Sequence, residues 1–367
     1  MNTTMLLLLL MMMVPIFVPL IFIPYWTRKT ESFGVSIPEE IFHEVSIKKK
    51  RKSYAWTTGL LALATIIIFS LFANGHDEDF IATLFTILIF VYLFGSFIVY
   101  LIFHRQMKEL KRQNPSWVAK PQQVLVDMGF RNRKLTLSNG WFVIPFIFSI
   151  ATIVITLVNF QQIPDRYPMQ YNFSGEVTTW ANKSYRSVLL MPIMEMYMTM
   201  LFLFINIVIS KAKQQVSAEN PEVSIQQNVT FRRRWSLFTL IAGTGIVMLL
   251  SLHQFSLIYS INHQFLMIAP LVYVIGVCGA TILLSITTGQ GGSRVTIKGS
   301  GPSSTVINRD DDQYWKLGMF YFNKNDPAIF LEKRFGIGWT NNWAHPLSWI
   351  FIVVIILIVA ILPKVLG

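Results

Sequence analysis

Eight apolar runs leave this chain few choices of fold. They cover, approximately, Thr4–Tyr25, Trp56–Ala73, Phe80–Phe103, Trp141–Val158, Ser187–Ser210, Trp235–Leu252, Phe265–Ile286 and Pro346–Leu362. Roughly 20 apolar residues in helix cross a hydrocarbon core. Lipid offers unpaired backbone groups no partner, so each crossing run has to be helical. Only 14% of the 367 residues are charged and 53% are hydrophobic, against about 25% charged in a soluble domain. The expectation is an all-α, polytopic membrane bundle of about eight helices with small extramembrane motifs.

The cations decide which way the runs are threaded. Of the 31 Lys and Arg residues, 27 fall in segments 26–55, 104–140, 211–234 and 287–345. The remaining four are Arg166, Lys183, Arg186 and Lys364. Basic and cation-poor connections alternate without exception, which is the pattern of cytoplasmic and outer loops. Both termini are therefore expected outside, with the stretch "IPDRYPMQYNFSGEVTTWANKS" (163–184). The first run has no basic residue before it and Arg28-Lys29 after it, so it reads as an uncleaved anchor in a cell membrane. The net charge of +12 is spread over several loops, so it reads as contact with lipid headgroups and not with nucleic acid.

Chemistry-bearing motifs are sparse. Cys278 is single, so no internal disulfide is expected. There is no C-x-x-C, H-E-x-x-H, G-x-S-x-G or phosphate-loop pattern, and no catalytic residue, metal or cofactor is expected. "NGHDED" (74–79) opens as a turn. Ser36-Ile-Pro-Glu-Glu reads as a capped helix start before "KKKRK" (Lys48–Lys52). "HRQMKELKRQ" continues the third helix until Asn114-Pro115 ends it. Residues 122–140 alternate weakly, as a small hairpin would. Segment 211–234 reads as polar and flexible, and 287–308 as a Gly/Ser/Pro linker. The resulting division is 1–140, 141–210 with outer loop 159–186, 211–286, linker 287–308, motif 309–349, and a last helix in 346–367.

Glu195 lies inside the fifth run, three residues after Pro192 and about 12 Å from the outer end. A carboxyl there needs a proton, a partner or water, and Pro192 frees a nearby backbone carbonyl. Tyr197 and Thr199 are possible local partners. His253 and His263 flank the outer ends of neighbouring runs.

Two blocks resemble known families. Ile163-Pro164-Asp165, Pro168, Tyr171-Asn172, Gly175-Glu176, Trp180 and Lys183 resemble the outer loop of the bacterial membrane domain DUF1648. Gln170 stands where that pattern has His, Thr178 or Thr179 where it has Asp, and Ala181-Asn182 where it has Gly-Ser. "YWKLGMFYFNKNDPA" and "KRFGIGWTNNWAHP", within Arg309–Trp349, resemble the C-terminal domain DUF5808. Relatives include the immunity and signalling protein of a sporulation-delaying toxin system. The resemblance implies that some relatives sense or neutralise an extracellular peptide or toxin and hold a cytoplasmic regulator.

Read physically, Pro164 and Pro168 stiffen the outer loop, Asn172 closes a turn, Gly175 takes a positive φ, and Trp180 prefers the interface. Asp165, Arg166, Asn172, Gly175, Glu176, Trp180, Lys183 and Glu195 form the candidate recognition set. Asp312, Tyr314, Trp315, Lys316, Phe322, Lys333 and Arg334 form a candidate cytoplasmic relay. The Asp310–Asp312 run reads as a solvated start to that motif, ahead of a turn at Asn323–Pro327. The leading expectation is a non-enzymatic sensor or immunity protein. The alternatives are a secondary transporter or lipid/peptide flippase using Glu195, and a membrane enzyme.

Overall fold

The computed structural model describes residues 3–117, 134–171, 176–213, 221–297 and 311–366. They fall into two compact units, each discontinuous in sequence. The first comprises 1–133, 212–231 and 282–345; the second comprises 134–211, 232–281 and 346–367. Among the described residues, seven helices are long and apolar enough to cross a membrane. The eighth apolar run also forms a helix, Pro346–Leu366.

The first unit is built on α1 (Thr3–Trp26), α2 (Val45–Phe72) and α3 (Glu78–Gln113). Met5, Leu9, Met13 and Phe17 recur every four residues, so they share one face of α1. That face packs on Ala62, Phe69, Ile81, Leu88 and Tyr92 of α2 and α3. The opposite faces are also apolar: Leu60, Leu63, Phe90 and Phe94 are exposed, as lipid-facing positions require. The "NGHDED" turn serves as a cap, with Asp77 accepting from the Phe80 amide at 2.9 Å. Helix α3 stops at Asn114, before Pro115. Lys48–Lys52 lie not in a loop but on the first turns of α2, where Arg51 turns inward and donates to the Phe42 carbonyl at 2.6 Å.

Two tight turns hold this unit's extramembrane part. Strands β1 (Glu31–Ser32) and β2 (Val35–Ser36) pair across Phe33-Gly34, whose φ values are 49° and 75°. A two-residue hairpin with positive φ at both positions matches the natural twist of its strands. Ser36 therefore ends a strand and caps no helix; the residues after Pro38 form a single 3-10 turn, Glu39–His43. Strands β5 (Trp315–Lys316) and β6 (Phe320–Tyr321) turn at Leu317 and Gly318, again with positive φ. The two turns abut: a Cβ on Gly34 would lie 2.5 Å from the Gly318 carbonyl oxygen. Tyr100 donates to the Leu317 carbonyl at 2.8 Å, and His104 Nδ1 lies 2.8 Å from the Phe33 carbonyl. Phe33 packs among Tyr54, Phe103 and Phe335. A further hairpin, β7 (Phe330–Glu332) with β8 (Trp339–Asn341), completes the motif.

Two segments differ from their sequence reading. Of the segment 211–234 expected to be flexible, residues 221–234 form the start of a long helix, α7 (Pro221–Phe255), and 214–220 lie outside the described residues. The expected linker begins as a packed corner: Gln290 is buried and exchanges hydrogen bonds with the Gly338 backbone at 2.9 and 2.7 Å. Its remainder, and most of the hairpin expected over 122–140, lie outside the described residues.

The second unit contains α4 (Val143–Val158), the hairpin β3 (Arg166–Tyr171) and β4 (Val177–Asn182), α5 (Tyr185–Val188) and α6 (Leu190–Lys211). It also holds the 232–255 part of α7, most of α8 (His263–Thr288) and α9 (Pro346–Leu366). Helix α4 packs on α6. The Tyr273 hydroxyl of α8 donates to the Ala242 carbonyl of α7 at 2.7 Å.

Replacing Gly34 with Ala should destabilise the protein by about 3 kcal/mol, because the added methyl meets backbone. Gly75→Ala shares a positive φ (86°) but faces open space, and should cost about 1 kcal/mol. Thermal unfolding in detergent distinguishes them; equal losses would contradict the abutting turns.

Candidate functional site

The proline-rich stretch of the second unit folds as an antiparallel hairpin. Pro164 and Pro168 keep the chain out of helix, and Pro168 stands opposite Trp180. Ile163, Tyr167 and Val188 form a small core under it with Leu257 and Ile258. Lys183 is drawn inward: its amide donates to the Asp165 carbonyl at 2.8 Å, and its ammonium to the Ile163 carbonyl at 2.7 Å. Ser184 and Ser187 cap the following turn reciprocally. The outward residues are Asp165, Arg166, Glu176 and Trp180. The Arg166 guanidinium lies 5.6 Å from the centre of the Trp180 ring, a cation–π distance. Thr179 donates to Gln170 at 3.0 Å, in the position where the family pattern has His. Asn172 and Gly175 lie outside the described residues.

Beneath the hairpin the same unit carries a buried polar seam. Pro192 sits in the first turn of α6 and has no N–H, so the Val188 carbonyl four residues earlier lacks its helical donor. Gln254 Nε2 of α7 supplies one at 3.1 Å and also reaches the Thr156 hydroxyl at 3.2 Å. One turn away, the Thr152 and Ser251 hydroxyls lie 3.0 Å apart and face the Glu195 carboxyl. Further along, Asn206 donates to Asn139 at 2.9 Å and to the Leu137 carbonyl at 3.2 Å, and accepts from Ser236 at 2.6 Å. Arg232 ends the series by donating to the Ile209 carbonyl at 2.6 Å, a cation at a helix C-terminus. Of the two expected partners, Thr199 bonds the Glu195 backbone carbonyl at 2.9 Å, and among the described residues Tyr197 makes no hydrogen bond to Glu195. His253 bonds the Leu249 carbonyl of its own helix, and His263 lies against Tyr171. Among the described residues no three metal-ligating side chains come together.

Two members of the relay set of the first unit, Arg334 and Asp312, belong to an ionic lattice. Arg334, 2% exposed, pairs with both Asp311 and Asp312 and lies 5.0 Å from the Trp315 ring. Asp312 also accepts from Lys111 at 2.8 Å and from the Ser36 amide and hydroxyl at 3.1 and 2.9 Å. Asp311 and Asp312 are thus half-buried and paired, in contrast to the solvated start expected of them, while Asp310 lies outside the described residues. Beside this group, Glu332 is fully buried, pairs with Arg28, and accepts from Asn228 at 2.7 Å. Asp326 holds the Asn323–Pro327 turn by accepting from Lys213 at 2.5 Å and Tyr321 at 2.7 Å. Tyr314 is half-buried, and its carbonyl accepts from the Phe322 amide. Lys316 and the Phe322 side chain are exposed. Burial pulls the Lys333 ammonium below its ordinary value.

Burial works against Asp312, yet Arg334 and Lys111 hold its carboxyl below the ordinary range. Glu31 is pushed up to about 7, mainly by burial, with Arg28 and Arg334 pulling it back. Its ordinary value is 4.5, so between these limits the folded chain holds a proton that the unfolded chain releases. That contribution to stability is complete below the lower limit and lost as pH rises through about 7.

Arg28, Glu31, Lys111, Asn228 and Glu332 escaped the sequence reading, because ion pairing across distant segments leaves no local pattern. Thr152, Thr156, Ser251 and Gln254 had a signal: polar residues three or four apart inside apolar runs share one face.

The comparisons match these regions. Residues 147–196 match the domain of unknown function DUF1648, and residues 324–349 match the family of unknown function DUF5808. The first match contains the hairpin, Thr152, Thr156 and Glu195; the second contains Asp326, Glu332 and Arg334. No curated protein and no solved structure matches the chain. The two domains and the long apolar helices make this a helical membrane protein.

Arg334→Leu should cost about 3–5 kcal/mol, since it strands buried carboxylates; a variant as stable as the parent in thermal unfolding would contradict the lattice. Glu31→Gln should unfold at a higher temperature than the parent at pH 8, by the equivalent of about 2 kcal/mol. At about pH 4, below both values, the two should unfold together. An equal difference at about pH 4 and pH 8 would contradict a proton held by Glu31 in the fold.

Proposed function

We propose that the chain is a non-enzymatic, multi-pass protein of a bacterial cell membrane that recognises an extracellular peptide or toxin through the β3–β4 hairpin. The observation that carries this reading is a clamped hairpin that keeps aromatic and charged side chains exposed. Its base is fixed by the Ile163–Tyr167–Val188 core and by Lys183, while Trp180, Tyr171, Arg166 and Asp165 stay exposed. Rigid aromatic and arginine side chains on a fixed scaffold are the groups that carry binding energy at interfaces. The loops rich in Lys and Arg face the cytoplasm in this reading, so both termini and the hairpin lie outside. The inner motif then meets a cytoplasmic regulator through exposed Lys316 and Phe322. Arg334, Asp312 and Trp315 hold its shape.

A second reading is a secondary transporter or lipid/peptide flippase. It is favoured by one feature, the carboxyl of Glu195 inside a membrane helix. Under that reading Glu195→Gln abolishes proton-dependent flux in vesicles.

Deleting the gene should sensitise cells to antimicrobial or toxin peptides, or change transcription of neighbouring genes. Restoring the gene with Trp180→Ala and Arg166→Ala should recover membrane expression but less than one tenth of the protection, as expected for loss of an interface anchor. Unchanged sensitivity and transcription in the deletion strain would contradict the proposal.

A further inference from the structure

Two polar clusters of the second unit differ in how completely they are satisfied. Around Asn206 every donor meets an acceptor: Asn206 with Asn139 and Leu137, Ser236 with Asn206, and the Leu137 amide with Ser236 at 2.9 Å. Around Glu195 the inventory does not close. The Thr152 hydroxyl lies 3.0 Å from the Phe148 carbonyl and the Ser251 hydroxyl 3.0 Å from the Val247 carbonyl, each four residues back on its own helix. Thr199 donates to the Glu195 backbone. Each hydroxyl has one proton to give, so these three present chiefly lone pairs to their surroundings. Both carboxyl oxygens of Glu195 and the Gln254 side-chain oxygen are buried without a hydrogen-bond partner, and Glu195 is 0% exposed. Hydroxyls already bonded to their own helices thus lie beside the Glu195 carboxyl, and no ion pair to Glu195 is present among the described residues.

A carboxylate in such a place is uncompensated, at a cost of several kcal/mol. One added proton resolves the mismatch: it removes the charge and turns one carboxyl oxygen into a donor for the lone pairs of Thr152 or Ser251. We propose that Glu195 is a proton-binding site of the second unit, its O–H directed at the Thr152–Ser251 pair. Gln254 and Thr156, one turn along the same faces of α7 and α4, form the polar step between this proton and the base of the hairpin. The Gln254 amide is tied to the Val188 carbonyl that Pro192 leaves free, so the hairpin core and the proton site share one hydrogen-bonded element. This inference stands apart from peptide recognition: the proton binds whether or not the hairpin has a ligand.

Infrared difference spectroscopy of the full-length protein in lipid nanodiscs tests it. In a Glu31→Gln background, which removes the other carboxyl that holds a proton near this pH, the protein at about pH 7 should show the carbonyl stretch of a protonated carboxylic acid, and adding Glu195→Gln, which is isosteric with that acid, should abolish it. Thr152→Val with Ser251→Ala should keep the band but move it to higher frequency, because the O–H loses its acceptors; a purely structural role for the two hydroxyls would leave the frequency unchanged. In wild-type protein alone, a hydrophobic carbodiimide should modify Glu195, located by peptide mass, and the modification should fall as pH rises. Absence of the band at about pH 7, a band retained in Glu195→Gln, or loss of the band on adding Na+ at constant pH would overturn the proposal.

Discussion

A hydrocarbon surround penalises every unpaired polar atom, and each unit is arranged around the partners it finds for the polar groups it carries. The second unit answers with neutral groups. Hydroxyls and amides on α4, α6 and α7 point at one another along a seam that runs on α7 from Ser236 to Gln254, about 27 Å of helix. That length approaches the thickness of the hydrocarbon core. The helices keep their apolar faces for lipid and turn their few polar side chains inward. Among the described residues Glu195 is the one acid in this seam.

The first unit solves a different problem outside the membrane-spanning segments. Short strands of two or three residues have little stability of their own. Arg334 sits at their centre and is held by Asp311 and Asp312, while Arg28 and Glu332 pair nearby. Charges this buried are weak evidence of net stabilisation but strong constraints on register, because any shift strands one of them. The abutting Phe33-Gly34 and Leu317-Gly318 turns add a steric constraint of the same kind. Glu31 completes the group and brings it close to a balance point near neutral pH.

Much of the fold was legible because hydropathy and turn chemistry act locally. Asn114-Pro115 ends a helix, Asp77 caps one, and the prolines of 163–168 exclude one, each for reasons contained in a few residues. Pro192 foretold a freed carbonyl, although the break falls at Leu189 and the donor, Gln254, comes from another helix. Local reasoning failed where the deciding partner is distant. Ser36 looked like a helix cap until Asp312, 276 residues away, took its amide and hydroxyl. Residues 221–234 looked flexible because their charges and amides resemble a loop. In the fold Asn228 meets Glu332, and Arg232 closes the end of α6. Lys183 looked like part of a recognition surface, and its ammonium instead holds the backbone of the hairpin base.

The proposed function rests on reading the distribution of Lys and Arg as the inside–outside signal, and on that reading the hairpin and the DUF5808 motif belong to opposite compartments. Single-cysteine labelling in a Cys278→Ser background measures this directly, with Thr179→Cys on the hairpin and Lys316→Cys on the inner motif, both exposed positions. A membrane-impermeant maleimide should label Thr179→Cys in intact cells and Lys316→Cys only after permeabilisation. Labelling of both in intact cells, or of neither, would contradict it.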